Sequence, residues 1–119
     1  MRDVTPAVVI PTFDEADNIE RLIAGIHAAV PEITVIVVDD GSPDGTGRIV
    51  EQLAATDPRI VAIRRPRKMG LGTAHCRGFD EALARGASRV CTMDADLSHD
   101  PAELPRVLAA LQDHDVVVG

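Results

Sequence analysis

Short apolar runs alternate along this chain with segments of helical period, and few folds accommodate that pattern. Ala7–Pro11 ("AVVIP"), Ile33–Val38 ("ITVIVV"), Ile60–Ile63, Arg89–Met93 and the closing "DVVVG" have the continuous apolar character of strands buried on both faces. Between them, Ile19, Leu22, Ile23, Ile26 and Val30 recur at helical spacing and stop at Pro31. Ile49, Val50, Leu53 and Ala54 mark a second helix. Thr73 to about Arg85 reads as a third, with Gly86 as its stop, and Leu104, Val107, Leu108 and Leu111 mark a fourth. Strict strand–helix alternation predicts an α/β domain, a mostly parallel sheet with helices on both faces. Pro105 conflicts with a helix opening at Pro101, because one turn in it removes a backbone hydrogen bond. Either the helix starts at Pro105 after a short turn, or its first turn is distorted.

The 119 residues leave room for one domain or a piece of one. Phe13 and Phe79 are the only aromatic residues, so Val, Ile, Leu and Ala must build the core. Twelve Lys and Arg against nineteen Asp and Glu give a net charge of −7. An acidic chain without Trp or Tyr is a poor nucleic-acid binder. Cys76 and Cys91 form no CxxC motif, which predicts reduced thiols and a cytoplasmic setting. The N-terminus has no signal-peptide core, and no run approaches the ~18 apolar residues of a spanning helix. The apolar strand at the very end predicts that the sheet continues beyond Gly119.

Ligands of open parallel sheets bind where the carboxyl ends of the strands meet. Four such ends are polar here: "PTFDE", "DDGSPDG", "RRPRKMGLG" and "DADLSHD". Acids at three of them repel one another unless a cation or hydrogen-bond donors neutralise them. Asp94 and Asp96 flank Ala95, and strand alternation would point both the same way. Together they could hold Mg²⁺ or Mn²⁺ with positions left for water and phosphates, and Ser98 could add an oxygen. The competing reading makes them solvated loop acids. His99 reads as a surface residue, since such ions prefer oxygen. Asp39 and Asp40 could accept N–H groups of a nucleobase, with Gly41 letting a ring approach the backbone. The alternative is an Asx-type turn with Asp44 as N-cap. "MGLGTAHCRG" lacks the third glycine of a dinucleotide fingerprint. The basic run Arg64, Arg65, Arg67 and Lys68 reads as a solvated loop, or as an anion contact. His27, His114, Cys76 and Cys91 read as structural.

In order, "VVIPTFDEADNI", "VIVVDDGSPDGT", "GLGTA" and "MDADLSHDP" resemble family-2 nucleotide-sugar glycosyltransferases of the Rossmann-like GT-A fold, most closely the polyprenol-phosphate mannose synthases. The resemblance implies transfer of mannose from GDP-mannose to a polyprenyl phosphate, with inversion, at the cytoplasmic face of a membrane. It implies that residues 1–119 are the nucleotide-sugar-binding part of one domain whose acceptor-binding remainder, or a membrane-anchoring partner, lies elsewhere. By motif position, Pro11, Phe13, Glu15, Val38, Asp40, Asp94, Ala95 and Asp96 would contact the donor. Asp94, Asp96 and Ser98 would hold Mg²⁺ or Mn²⁺, with Asp94 and Asp96 as the catalytic pair. Phe13 stands where the family usually has Tyr, and His75 where it usually has an aromatic residue. Three alternatives remain: a sister enzyme using UDP-glucose or another donor, a phosphoacceptor receiver-like module, and a non-catalytic nucleotide-binding fragment.

Overall fold

The computed structural model describes residues 6–96, 100–110 and 116–118. Strands β1 (Pro6–Thr12), β2 (Thr34–Asp39), β3 (Ile60–Arg64), β4 (Arg89–Thr92) and β5 (Val116–Val118) form one sheet of order β3-β2-β1-β4-β5. Every pairing is parallel, with Val9 opposite both Ile36 and Thr92. The sequence therefore located each strand to within a residue or two. The chain builds outward from β1 to β3 and then crosses to β4 on the other side. That makes the β1–β4 crevice the switch point at which parallel sheets bind ligands. A receiver module has the order 2-1-3-4-5 instead, so the phosphoacceptor alternative fails on topology.

Alternation along the strands divides the core in two. Val8, Ile10, Val35, Val37 and Cys91 face one way, under helices α1 (Ile19–Ala29), α2 (Thr46–Thr56) and α4 (Leu104–Ala110). Ala7, Val9, Ile36, Val38 and Val90 face the other, under α3 (Leu71–Ala84). Burying each Val, Ile or Leu side chain contributes roughly 1.5–3 kcal/mol, enough to fix the register of both layers. α3 sits very close to β1. A Cβ on Gly78 would stand 2.2 Å from Val9 Cγ1, so only glycine permits that approach.

The local signals explain the helix ends. α3 stops at Gly86, whose φ of +82° lets Gly86 N–H reach Leu83 O and Ala87 N–H reach Ala82 O. That is the paired C-terminal closure expected of glycine there. The Pro105 conflict resolves in favour of a late start. Pro101–Glu103 forms a single 3₁₀ turn, capped by Asp100 accepting from Ala102 N–H, and α4 begins at Leu104. Pro105 thus falls in the first turn, where its missing N–H has no intrahelical partner to lose.

Candidate functional site

The carboxyl edge of the sheet is organised around Asp39. Its side chain is buried, and Oδ1 accepts from Thr12 Oγ1 at 2.7 Å and Ser42 Oγ at 2.5 Å, while Oδ2 accepts from Ser42 N–H at 3.0 Å. The β2–α2 loop then braces the β1–α1 loop. Three successive N–H groups, of Asp14, Glu15 and Ala16, donate to Ser42 Oγ, Thr46 Oγ1 and Asp44 Oδ2 at 2.9, 2.9 and 3.0 Å. Asp14 is held at φ 56°, a left-handed conformation that Asp tolerates better than most residues. Asp44 is not itself the N-cap, which is Gly45. It accepts from Thr46 N–H and Oγ1, and the Thr46 hydroxyl is the main cause of a carboxyl held below its ordinary range. "DGSPDGT" is thus a cross-brace whose small polar side chains satisfy the backbone of a neighbouring loop.

Asp40 has a different partner. Arg65 Nε donates to Oδ1 at 2.6 Å and Nη2 to Oδ2 at 2.9 Å, and both side chains are about nine-tenths buried, at 10% and 11% exposed. This bidentate bond to Asp40 raises the guanidinium further above its already high pKa. Arg65 also donates to Thr73 Oγ1 and Gly70 O, tying the end of β2 to the start of α3. The solvated-loop reading of Arg65 is therefore corrected, whereas Arg64 stays exposed and meets Glu51 at the surface. Gly41 is corrected too. At φ +70°, a Cβ there would meet Pro66 O at 2.7 Å, so the close approach it permits is to the chain's own backbone.

A cleft of about 310 Å³ opens beside this pair, lined by Pro11, Thr12, Phe13, Asp40, Lys68, Gly70 and Ala74. Of the residues expected at a nucleotide, Pro11, Phe13 and Asp40 converge here. Val38 does not reach it: its side chain is fully buried in the layer under α3. Glu15 does not line it either, and its carboxylate accepts from Asn18 at the start of α1. Thr12, Gly70 and Ala74 were missed, because nothing in an isolated strand end or helix start shows which loops fold together. The basic run did flag Lys68. Its Nζ lies 4.3 Å from the Phe13 ring centroid, a cation–π contact.

Asp94 and Asp96 follow β4, which ends at Thr92, so they lie beyond the strand rather than within it. The alternation nonetheless persists, with Met93 and Ala95 buried and both aspartates exposed. Met93 N–H donates to Val9 O, which carries this segment up alongside β1 to the edge where Phe13 begins its loop. The donor set suits a divalent cation. Two carboxylates one residue apart, with oxygen donors only, match an ion that keeps positions for water and phosphates. Among the described residues no three His, Cys, Asp or Glu side chains form a closed cage. An ion held here would complete its shell from outside the pair. Ser98 and His99 lie outside the described residues.

The comparisons with known proteins agree with this geometry. The pattern described as Glycosyl transferase family 2 matches residues 7–119. The polyprenol monophosphomannose synthase of Mycolicibacterium smegmatis is 46% identical over 114 residues, which cover 94% of this chain and 43% of that relative. The undecaprenyl-phosphate mannosyltransferase of Micrococcus luteus is 44% identical over 111 residues, covering 93% and 46% respectively. The chain thus spans less than half the length of these curated relatives. Among solved structures, a Pyrobaculum calidifontis mannosyltransferase in complex with GDP-Man and Mn²⁺ superposes with a TM-score of 0.59 at 28% identity, covering 76% of this chain and 27% of that one. With its four strand-end motifs inside the matched residues, this chain belongs to glycosyl transferase family 2.

Proposed function

We propose that residues 1–119 are the nucleotide-sugar-binding part of a glycosyltransferase domain that transfers mannose from GDP-mannose to a polyprenyl phosphate, with inversion. One observation carries the reading: the cleft of Pro11, Phe13 and Asp40 opens at the carboxyl edge of the sheet, the edge at which the exposed Asp94 and Asp96 follow β4. The names of the relatives and the GDP-Man and Mn²⁺ of the structural neighbour support the same donor and acceptor.

In this reading Pro11 and Phe13 form the apolar wall against the base, and Asp40, oriented by Arg65, accepts its N–H groups. Val38 and Glu15 act from behind, through the strand and loop that carry Asp40 and Phe13. Asp94, Ala95 and Asp96 meet the diphosphate, with Ser98 as a further oxygen. Asp94 and Asp96 would hold Mg²⁺ or Mn²⁺, which supplies positive charge against the departing diphosphate. A phosphate acceptor is already anionic near pH 7, so it needs no strong general base. The chain's own task is then orientation and electrostatic positioning. In this reading the protein works at the cytoplasmic face of a membrane, against its lipid acceptor. Among the described residues no helix is long and apolar enough to cross one, and an acceptor-binding remainder or an anchoring partner would supply that contact.

Calorimetric titration tests the proposal. GDP should bind more tightly with Mn²⁺ than without, GDP should outcompete UDP, and Asp96→Ala should erase the metal effect. Tighter binding of UDP would replace the donor. A metal effect that survives Asp96→Ala would remove the metal assignment. Failure to bind any nucleoside diphosphate would end the reading.

A further inference from the structure

Lys68 is the one cation lining the cleft whose described contact is a ring rather than a carboxylate. In the same basic run, Arg64 at the end of β3 meets Glu51 and Arg65 meets Asp40. The Lys68 ammonium and the Phe13 ring both border the cleft, 4.3 Å apart. Stacked aromatic rings need centroid separations of roughly 4.5–7 Å. A base stacked on that face of Phe13 and an ammonium at its present distance therefore exclude one another. Lys68 is exposed and carries a compact charge on a flexible four-carbon stem, so it can turn aside without disturbing the sheet. Leaving the ring costs the ammonium its cation–π contact, which is weaker than a charge-assisted hydrogen bond to a phosphate. A nucleoside diphosphate brings both groups at once: the base that displaces the ammonium and the anion that can receive it.

We infer that Lys68 is an exchange residue of the donor site, covering Phe13 until a base takes its place and then pairing with the diphosphate. The inference rests on the nucleotide reading of the cleft and adds a residue that reads base and phosphate together. It makes the diphosphate, not the base, the source of the affinity that Lys68 supplies.

The test compares nucleosides with their diphosphates on the 119-residue chain, in metal-free buffer, for wild type, Lys68→Ala and Lys68→Arg. The probes are guanosine with GDP and uridine with UDP, followed by NMR titration. Lys68→Ala should weaken the diphosphate about tenfold while leaving its nucleoside unchanged or tighter, because the ring face is cleared. Lys68→Arg should restore diphosphate binding to within about threefold of wild type, since the charge is kept. Equal weakening of nucleoside and diphosphate by Lys68→Ala would show a fixed wall of the base site and overturn the inference alone. So would no change in either, or a diphosphate loss that Lys68→Arg does not recover. If wild type binds none of the four probes even after Mn²⁺ is added, the nucleotide reading fails and the inference falls with it; binding only with Mn²⁺ would overturn the inference alone.

Discussion

Asp39 and Asp40 close β2, and Asp94 and Asp96 follow β4, so in the sequence both are acidic pairs at the carboxyl end of a buried strand. In the fold their exposure is opposite. Asp39 is enclosed by Thr12 and Ser42, and Asp40 is gripped by Arg65, and both aspartates are buried. Asp94 and Asp96 are exposed on either side of buried Ala95. A carboxylate supplied with donors by its own fold has become scaffold, or at most a pre-oriented acceptor. A pair displayed to solvent at the switch point is placed to meet charge brought from outside. The difference lies in burial, not in the acids.

Substitutions can break this contrast at its most buried point first. Asp39→Ala strands the Thr12 and Ser42 hydroxyls and the Ser42 N–H, and should cost about 3 kcal/mol. A thermal melt should show a fall of ~10 °C or more; an unchanged midpoint would mean the buried carboxylate is not the keystone of this edge. Arg65→Met leaves Asp40 without its bidentate partner and should cost about 2 kcal/mol by urea denaturation. Arg65→Lys, which keeps the charge but loses the fork, should fall about halfway between.

The exposed pair should behave in the reverse sense. Asp94→Ala and Asp96→Ala, as exposed positions, should each cost at most about 1 kcal/mol, well below Asp39→Ala. The same variants should lose the Mn²⁺-dependent part of GDP binding, at least tenfold or about 1.4 kcal/mol. A large drop in melting temperature in either variant would place these aspartates with the scaffold instead.

The smallest effects come from pH. Asp57, hydrogen-bonded by Arg59, is held down to about 2. Its folded pKa is depressed, so its contribution is present above the ordinary carboxylate range of ~4 and is lost as pH falls through about 2. At the other extreme, burial pushes the Cys91 thiol up to about 12. That raised value favours the native state only while the unfolded thiol stays protonated, so stability should decline as pH climbs from ~9 towards about 12. The same burial predicts that a thiol reagent modifies exposed Cys76 quickly and Cys91 only on unfolding.

The elements were legible because their signals are local. Unbroken runs such as Val35–Val38 can only be strands covered on both faces, and the period of Ile19, Leu22, Ile23 and Ile26 can only be one stripe of a helix. Gly86 marked a helix end for the same reason. The site was legible in part: Pro11, Phe13 and Asp40 converge, as the motif order implied. Val38 keeps its side chain in the core, so any contact it made with a ligand would run through its backbone. Arg65 was misjudged because its partner stands 25 positions away. The turn reading of "GSPDGT" is the one the fold bears out, since its side-chain oxygens go to the backbone of Asp14, Glu15 and Ala16.

Taken alone, the sequence determined the α/β class, the strand and helix boundaries and the family, because periodicity and motif order are properties of neighbours along the chain. Only the tertiary structure decided which of two similar acidic pairs is buried and which is exposed. It also decided that Lys68 lies over Phe13, and that Gly41 admits Pro66 rather than a ligand. Those outcomes depend on which loops the strand order β3-β2-β1-β4-β5 brings to one edge. Charge pairing and burial act through space, between residues that the chain itself keeps far apart.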